Sequence, residues 1–160
     1  MKELFTDQEW ELLQKIPALV FAMIASADGT VDKKETEAFI KFCSTKGNFK
    51  SELLNLVLPN NPKKYLDEVL PKIDKTKLKD TFREVDVTLD LKINPAESRT
   101  FKHHLIALAT YVANASGKMF QHKISEEENE AIYQFAKYID IDVAQLFRTT
   151  LVDEILKKVE

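Results

Sequence analysis

The chain has 160 residues, a formal net charge of −3 and 31% charged side chains, yet only 3 glycines, 5 prolines and 1 cysteine. Glycine at a fraction of its usual ~7%, with Gly29, Gly47 and Gly117 far apart, excludes Gly-x-Gly-x-x-Gly and Walker-type phosphate loops. Lone Cys43 excludes an internal disulfide framework and a multi-cysteine zinc site. A glycine-poor, charge-rich composition instead favours long helices over hairpin-rich sheets. With 44% hydrophobic residues the chain supplies one core without staples, so residues 1–160 are expected to form a single all-α domain. The opening Met1–Asp7 lacks the features of a signal peptide, and the apolar run from Pro17 to Ala27 is too short to span a bilayer. A cytoplasmic protein without a transmembrane segment is expected. The slight acidity gives no reason to expect nucleic-acid binding.

Helix starts recur along the chain. Thr6-Asp-Gln-Glu9 opens the first as a capping box. It predicts helices over 7–16 and 18–27, kinked or divided at Pro17. Asp32-Lys-Lys-Glu35 has the same form and opens 32–46. Helices follow over 50–58, over 62–72 after Asn61-Pro62, and over 76–91. Lys63–Lys79 is mildly basic but carries Asp67, Glu68 and Asp74, the mixture of a solvated face. Asn94-Pro95 opens 95–115, which is apolar on most sides between Leu105 and Ala115, so it is expected to run through the centre of the bundle. Ser125-Glu-Glu-Glu128 opens 126–139, with Ile132, Phe135, Ala136 and Ile139 on one face. Asp142 opens 143–158, where Val143, Phe147, Thr150 and Leu151 share a face. An apolar patch on this last helix would suit a structural or homo-oligomeric role.

An internal repeat organises the chain. Phe21 to Phe42 matches Ala109 to Phe135, offset by 88 residues up to the glycine and by 93 beyond it. Each copy runs from an alanine-rich helix through a glycine and one β-branched residue to a capped helix. Val31 and Ile124 are expected to plug the two apices. The extra residues of the second copy lie in Lys118-Met-Phe-Gln-His-Lys123, where Met119 and Phe120 either fold back over the hairpin or contact a partner or membrane surface. Asp28 to Glu35 matches the second half of an EF-hand loop, but Ile24 and Ser26 stand where the first acidic ligands belong. The acidic residues of the turns admit two readings. In one, Asp32 and Glu35 satisfy helix amides and Asp28 solvates the turn. In the other, the two hairpins present Asp28, Asp32, Glu35 and Glu128 as one patch for a divalent cation or a basic partner.

The capped opening Thr6–Trp10, the Ala25-Ser-Ala-Asp-Gly-Thr-Val-Asp-Lys-Lys-Glu35 turn and the pair Asn114-Ala-Ser-Gly117 and Ile124-Ser-Glu-Glu-Glu128 resemble the tellurite-resistance TerB-like family, from residue 6 to residue 147. The resemblance implies an all-α fold of pseudo-repeated helical hairpins, about seven to nine helices in all. It implies a non-catalytic role in tellurite resistance, metal or oxidative stress, with other proteins of a stress-resistance complex as partners. The family's acidic hairpin residues fall here on Asp28, Asp32, Glu35 and Glu128, and Ser116 replaces the first-copy aspartate. Adjacent His103 and His104 lack the i, i+4 spacing of a helical metal pair and the Glu-x-x-His of di-iron sites, so packing or surface roles are expected. A helical-bundle enzyme using His103 or His104 is the alternative. Cys43, beside Phe39 and Phe42, is expected in the core.

Overall fold

The computed structural model describes residues 1–27, 31–116, 126–142 and 151–160. Among them are eight α-helices and no strand. These are α1 (Asp7–Ala25), α2 (Lys33–Ser44), α3 (Glu52–Val57), α4 (Pro62–Val69), α5 (Leu78–Lys92), α6 (Pro95–Ser116), α7 (Glu126–Tyr138) and α8 (Leu151–Val159). The protein is an all-α helical bundle. Short 3-10 turns at Lys2–Leu4, Leu70–Lys72 and Lys75–Lys77 fill the connections. The expected helix over 62–72 therefore ends early, as Pro71 tightens its tail into a 3-10 turn. Only the end of the expected 143–158 helix, and its Val143–Thr150 face not at all, lies within the described residues.

Caps set the helix starts. The Thr6 hydroxyl accepts from the Glu9 amide at 3.2 Å, while the Thr6 amide donates to Glu9 Oε2 at 2.8 Å. Asn61 and Asn94 accept from the Lys64 and Glu97 amides, as their Asn-Pro pairs predict. Ser51, a cap that the sequence did not mark, accepts from the Leu54 amide at 3.1 Å. Glu97, in the first turn of α6, adds a second cap to α3: its Oε1 accepts from Ser51 Oγ and from the Leu53 amide. Gly47, at φ 94°, turns the chain beyond α2. Asn55 then accepts from the Gly47 and Phe49 amides and donates to the Phe49 carbonyl, which fixes the segment leading to Lys50.

The centre of the fold is α6. Every residue from Phe101 to Ala109 is buried, and α6 touches α1, α2, α3, α5, α7 and α8. Fully buried Phe21, Phe39, Phe42, Phe82, Phe101 and Phe135 fill the space around it. Edge-to-face ring pairs join Phe21 to Phe39 at 5.3 Å and Phe82 to Phe135 at 4.8 Å. The two repeats interlock: α1 lies on α6, α2 also lies on α6, and α7 also lies on α1. Buried Lys102 on α6 is neutralised from α5. Its ammonium pairs with Asp86 and, at 3.3 Å, with Asp90, which also accepts from Ser98 Oγ. On α4, the exposed pairs Lys63–Asp67 and Lys64–Glu68 are the mixed charges of a solvated face.

Pro17 does not divide the first helix. It has no N–H, and its ring opens the ladder locally. The gap is spliced from outside by Tyr65 on α4. The Ala18 amide donates to the Tyr65 hydroxyl at 3.1 Å, and that hydroxyl donates to the Gln14 carbonyl at 2.7 Å. One phenol thus bridges the Ala18 amide and the Gln14 carbonyl, the two groups that an i→i−4 bond would join. Burial raises the Tyr65 phenol well above its ordinary range, so it stays a donor. Tyr65→Phe should cost about 1–3 kcal/mol, the range for a buried polar group left unsatisfied, measured by urea unfolding. The cost should shrink in a Pro17→Ala background, where the helix can close its own ladder.

Candidate functional site

The first repeat's turn forms a complete capping box. Asp32 Oδ1 accepts from the Glu35 amide at 2.9 Å, and Glu35 Oε2 accepts from the Asp32 amide at 2.9 Å. The structure thus brings Asp32 and Glu35 together. One oxygen of each carboxylate is occupied by the start of α2. Asp32 is exposed, whereas Glu35 is 0% exposed. Glu128, in the first turn of α7, is 2% exposed. Carboxylates are seldom so completely withdrawn from water, and these two occupy equivalent places in the repeat. Nothing in the sequence pattern marked them as buried, because a glutamate in the first helical turn ordinarily faces solvent.

Asp28, Gly29, Ser116's side chain, Gly117, Ile124 and Ser125 lie outside the described residues, as do Met119, Phe120 and His122. Among the described residues no group of three or more His, Cys, Asp or Glu converges on a point that would hold a metal ion. Asp32, Glu35 and Glu128 by themselves are therefore not a metal cage. Val31, expected to plug the first apex, is 48% exposed. It precedes the cap residue and has no helix to direct it inward. Cys43 is buried, and burial raises its thiol far above the ordinary range, which makes it inert core.

The histidines are more buried than a surface role requires. His103 is 8% exposed and His104 is 2% exposed. The His104 Nδ1 lies 2.7 Å from the Thr100 carbonyl, and the ring meets Phe49 edge-to-face at 5.4 Å. Among the described residues neither imidazole is hydrogen-bonded to a carboxylate, so no pair is set up to move a proton between acid and base. Burial and then the Arg99 charge hold His103 below the usual imidazole range. For His104 the cause is again burial, aided by the Lys158, His103 and Lys50 charges. Both rings are neutral at pH 7.

A folded-state imidazole pKa below the unfolded value of ~6.5 makes stability pH-dependent in one direction. Stability is complete above the unfolded pKa and falls as the pH drops through the lowered folded values, because the unfolded chain then binds more protons. Urea unfolding between pH 7.5 and 5.5 should show this decline, and a His103→Gln/His104→Gln double variant should flatten it. No protein-family model, curated protein or solved structure matches the chain.

Proposed function

We propose that this chain is a non-catalytic, TerB-like binding module of a tellurite-resistance or metal/oxidative-stress system, acting in the cytoplasm beside other proteins of a stress-resistance complex. Its acidic hairpin turns, through Asp28, Asp32, Glu35 and Glu128, take up a divalent cation or a basic segment of a partner. One observation carries the reading. Glu35 and Glu128, in different helices but at matching places in the repeat, are both withdrawn from water. Paired burial of a carboxylate at the start of the second helix of each repeat marks the two turns as a shared acidic feature.

The reading as an enzyme finds less support. His103 and His104 have no carboxylate hydrogen bond among the described residues, and Cys43 is not a nucleophile at neutral pH. A purely structural role would rest on an apolar surface. Among the described residues the strongly exposed apolar side chains are Leu4, Val31, Leu56, Val87 and Leu91, of which Val87 and Leu91 stand one helical turn apart on α5.

Calorimetric titration of Ca²⁺, Mg²⁺, Mn²⁺ and Zn²⁺ into metal-free protein tests the cation form. One of them should give saturable heat and raise the Tm, and Glu35→Gln should weaken that binding by tenfold or more, as expected for loss of a charged ligand. Absence of heat and of thermal shift with all four ends the cation form. The partner form is then tested by pull-down from the native cell, with Asp32→Lys/Glu35→Gln protein as the control that should lose the partner.

A further inference from the structure

A cavity lies over the buried histidines. A cleft of about 580 Å³ opens between α6, α8 and the segment before α3, a size ordinary for a small-molecule pocket. Its floor is buried: His103, His104 and Ile155. Its rim is exposed and cationic: Lys50, Arg99 and Lys158 surround the opening, with Glu154 the one carboxylate among its described lining residues. Three positive charges against one negative charge leave a cationic surplus among the described lining residues. No described carboxylate pairs with any of the three cations. The salt bridges among the described residues fall elsewhere, on Lys33, Lys63, Lys64, Lys92, Lys102 and the N-terminus.

The backbone that carries the cations is also held in place. Arg99 and His103 stand one helical turn apart on α6, so they share a face, and Glu154 and Lys158 do the same on α8. Lys50 is fixed between the Asn55-bound turn and the Glu97-capped start of α3. The Lys158 ammonium reaches back to the Asn48 carbonyl at 3.4 Å, which ties α8 to that same segment. The floor adds neutral imidazoles, which donate or accept a hydrogen bond, and the apolar surface of Ile155.

We propose that this cleft binds a phosphate monoester carrying a small apolar body, with the phosphate between Arg99, Lys50 and Lys158 and the body against Ile155 and the histidine rings. Guanidinium and ammonium groups are matched to a tetrahedral dianion. A fully hydrated inorganic ion would use the rim and leave the floor empty. A dianion here also favours protonation of His103 and His104, so both rings titrate at higher pH when it is bound. The groups facing the two rings among the described residues are Lys50, Arg99, Lys158, Glu154, Thr100 and Phe49.

Phenyl phosphate and inorganic phosphate are the probes, titrated into the full chain by calorimetry while the His103 and His104 ring signals are followed by NMR. Phenyl phosphate should bind saturably and more tightly than inorganic phosphate, and both rings should shift and titrate at higher pH in its presence. Arg99→Ala and, separately, Lys50→Ala/Lys158→Ala should each weaken it by about tenfold or more; Lys79→Ala on α5 should not. All of these side chains are exposed, so the fold is retained. The inference is overturned by absence of saturable binding, by equal affinity for the two probes, or by binding that the rim variants leave unchanged.

Vesicles of phosphatidylcholine with phosphatidic acid offer the same monoester from a lipid. Retention that phenyl phosphate displaces supports the cleft with a lipid source. Retention that phenyl phosphate leaves untouched, with both histidine signals unmoved, is general surface attraction and overturns the inference. None of these readouts uses the hairpin carboxylates, so the cleft stands or falls separately from the cation reading.

Discussion

The burial of α6 on all sides is the constraint to which the rest of the structure answers. Successive helical residues project about 100° apart, so an unbroken buried run from Phe101 to Ala109 has no face left for water. Its six apolar residues are easily accommodated there. Lys102, His103 and His104 are not, and the surrounding elements are arranged to receive them. Asp86 and Asp90 on α5 meet Lys102. The Thr100 carbonyl and the Phe49 ring meet His104. The helix that closes the core also imposes polar groups on it.

The same constraint explains why the two repeats interlock. An alanine-rich helix offers little side-chain volume, so α1 and α6 approach each other closely and each needs further helices to complete its surroundings. The second helix of each repeat supplies part of that cover across the repeat boundary: α2 lies on α6, and α7 lies on α1. Neither hairpin is therefore a separate folding unit. Glu35 and Glu128, at the starts of these covering helices, are drawn inward with them.

Much of this architecture is legible in the sequence, and the boundary of legibility is physical. The Thr6 and Asp32 capping boxes, the Asn-Pro starts at Asn61 and Asn94, and the central placement of α6 all follow from spacing over a few residues, and each is present in the fold. Three features do not follow. Pro17 reads as a kink or a division because the compensating hydroxyl belongs to Tyr65, 47 residues beyond Ala18. Val31 reads as a plug because apolarity alone does not say which way an uncapped residue points. The cationic cleft is invisible because Lys50, Arg99 and Lys158 are scattered along the chain and are joined only by the packing of α8 on α6. Of the acidic residues, the capping geometry of Asp32 and Glu35 was readable, while the depth of Glu35 and Glu128 depends on tertiary cover.

The Tyr65 splice has a consequence for how the molecule moves. In an ordinary helix each amide is protected by its own neighbours, and a short stretch can open without disturbing distant elements. Around Pro17 that independence is lost. The Ala18 amide donates to a residue of α4, so its hydrogen exchange is sensitive to the attachment of α4 as well as to the fraying of α1. The bridge couples the middle of α1 to a segment more than forty residues downstream. A proline that interrupts one helix has thereby made a pair of helices into a single cooperative element.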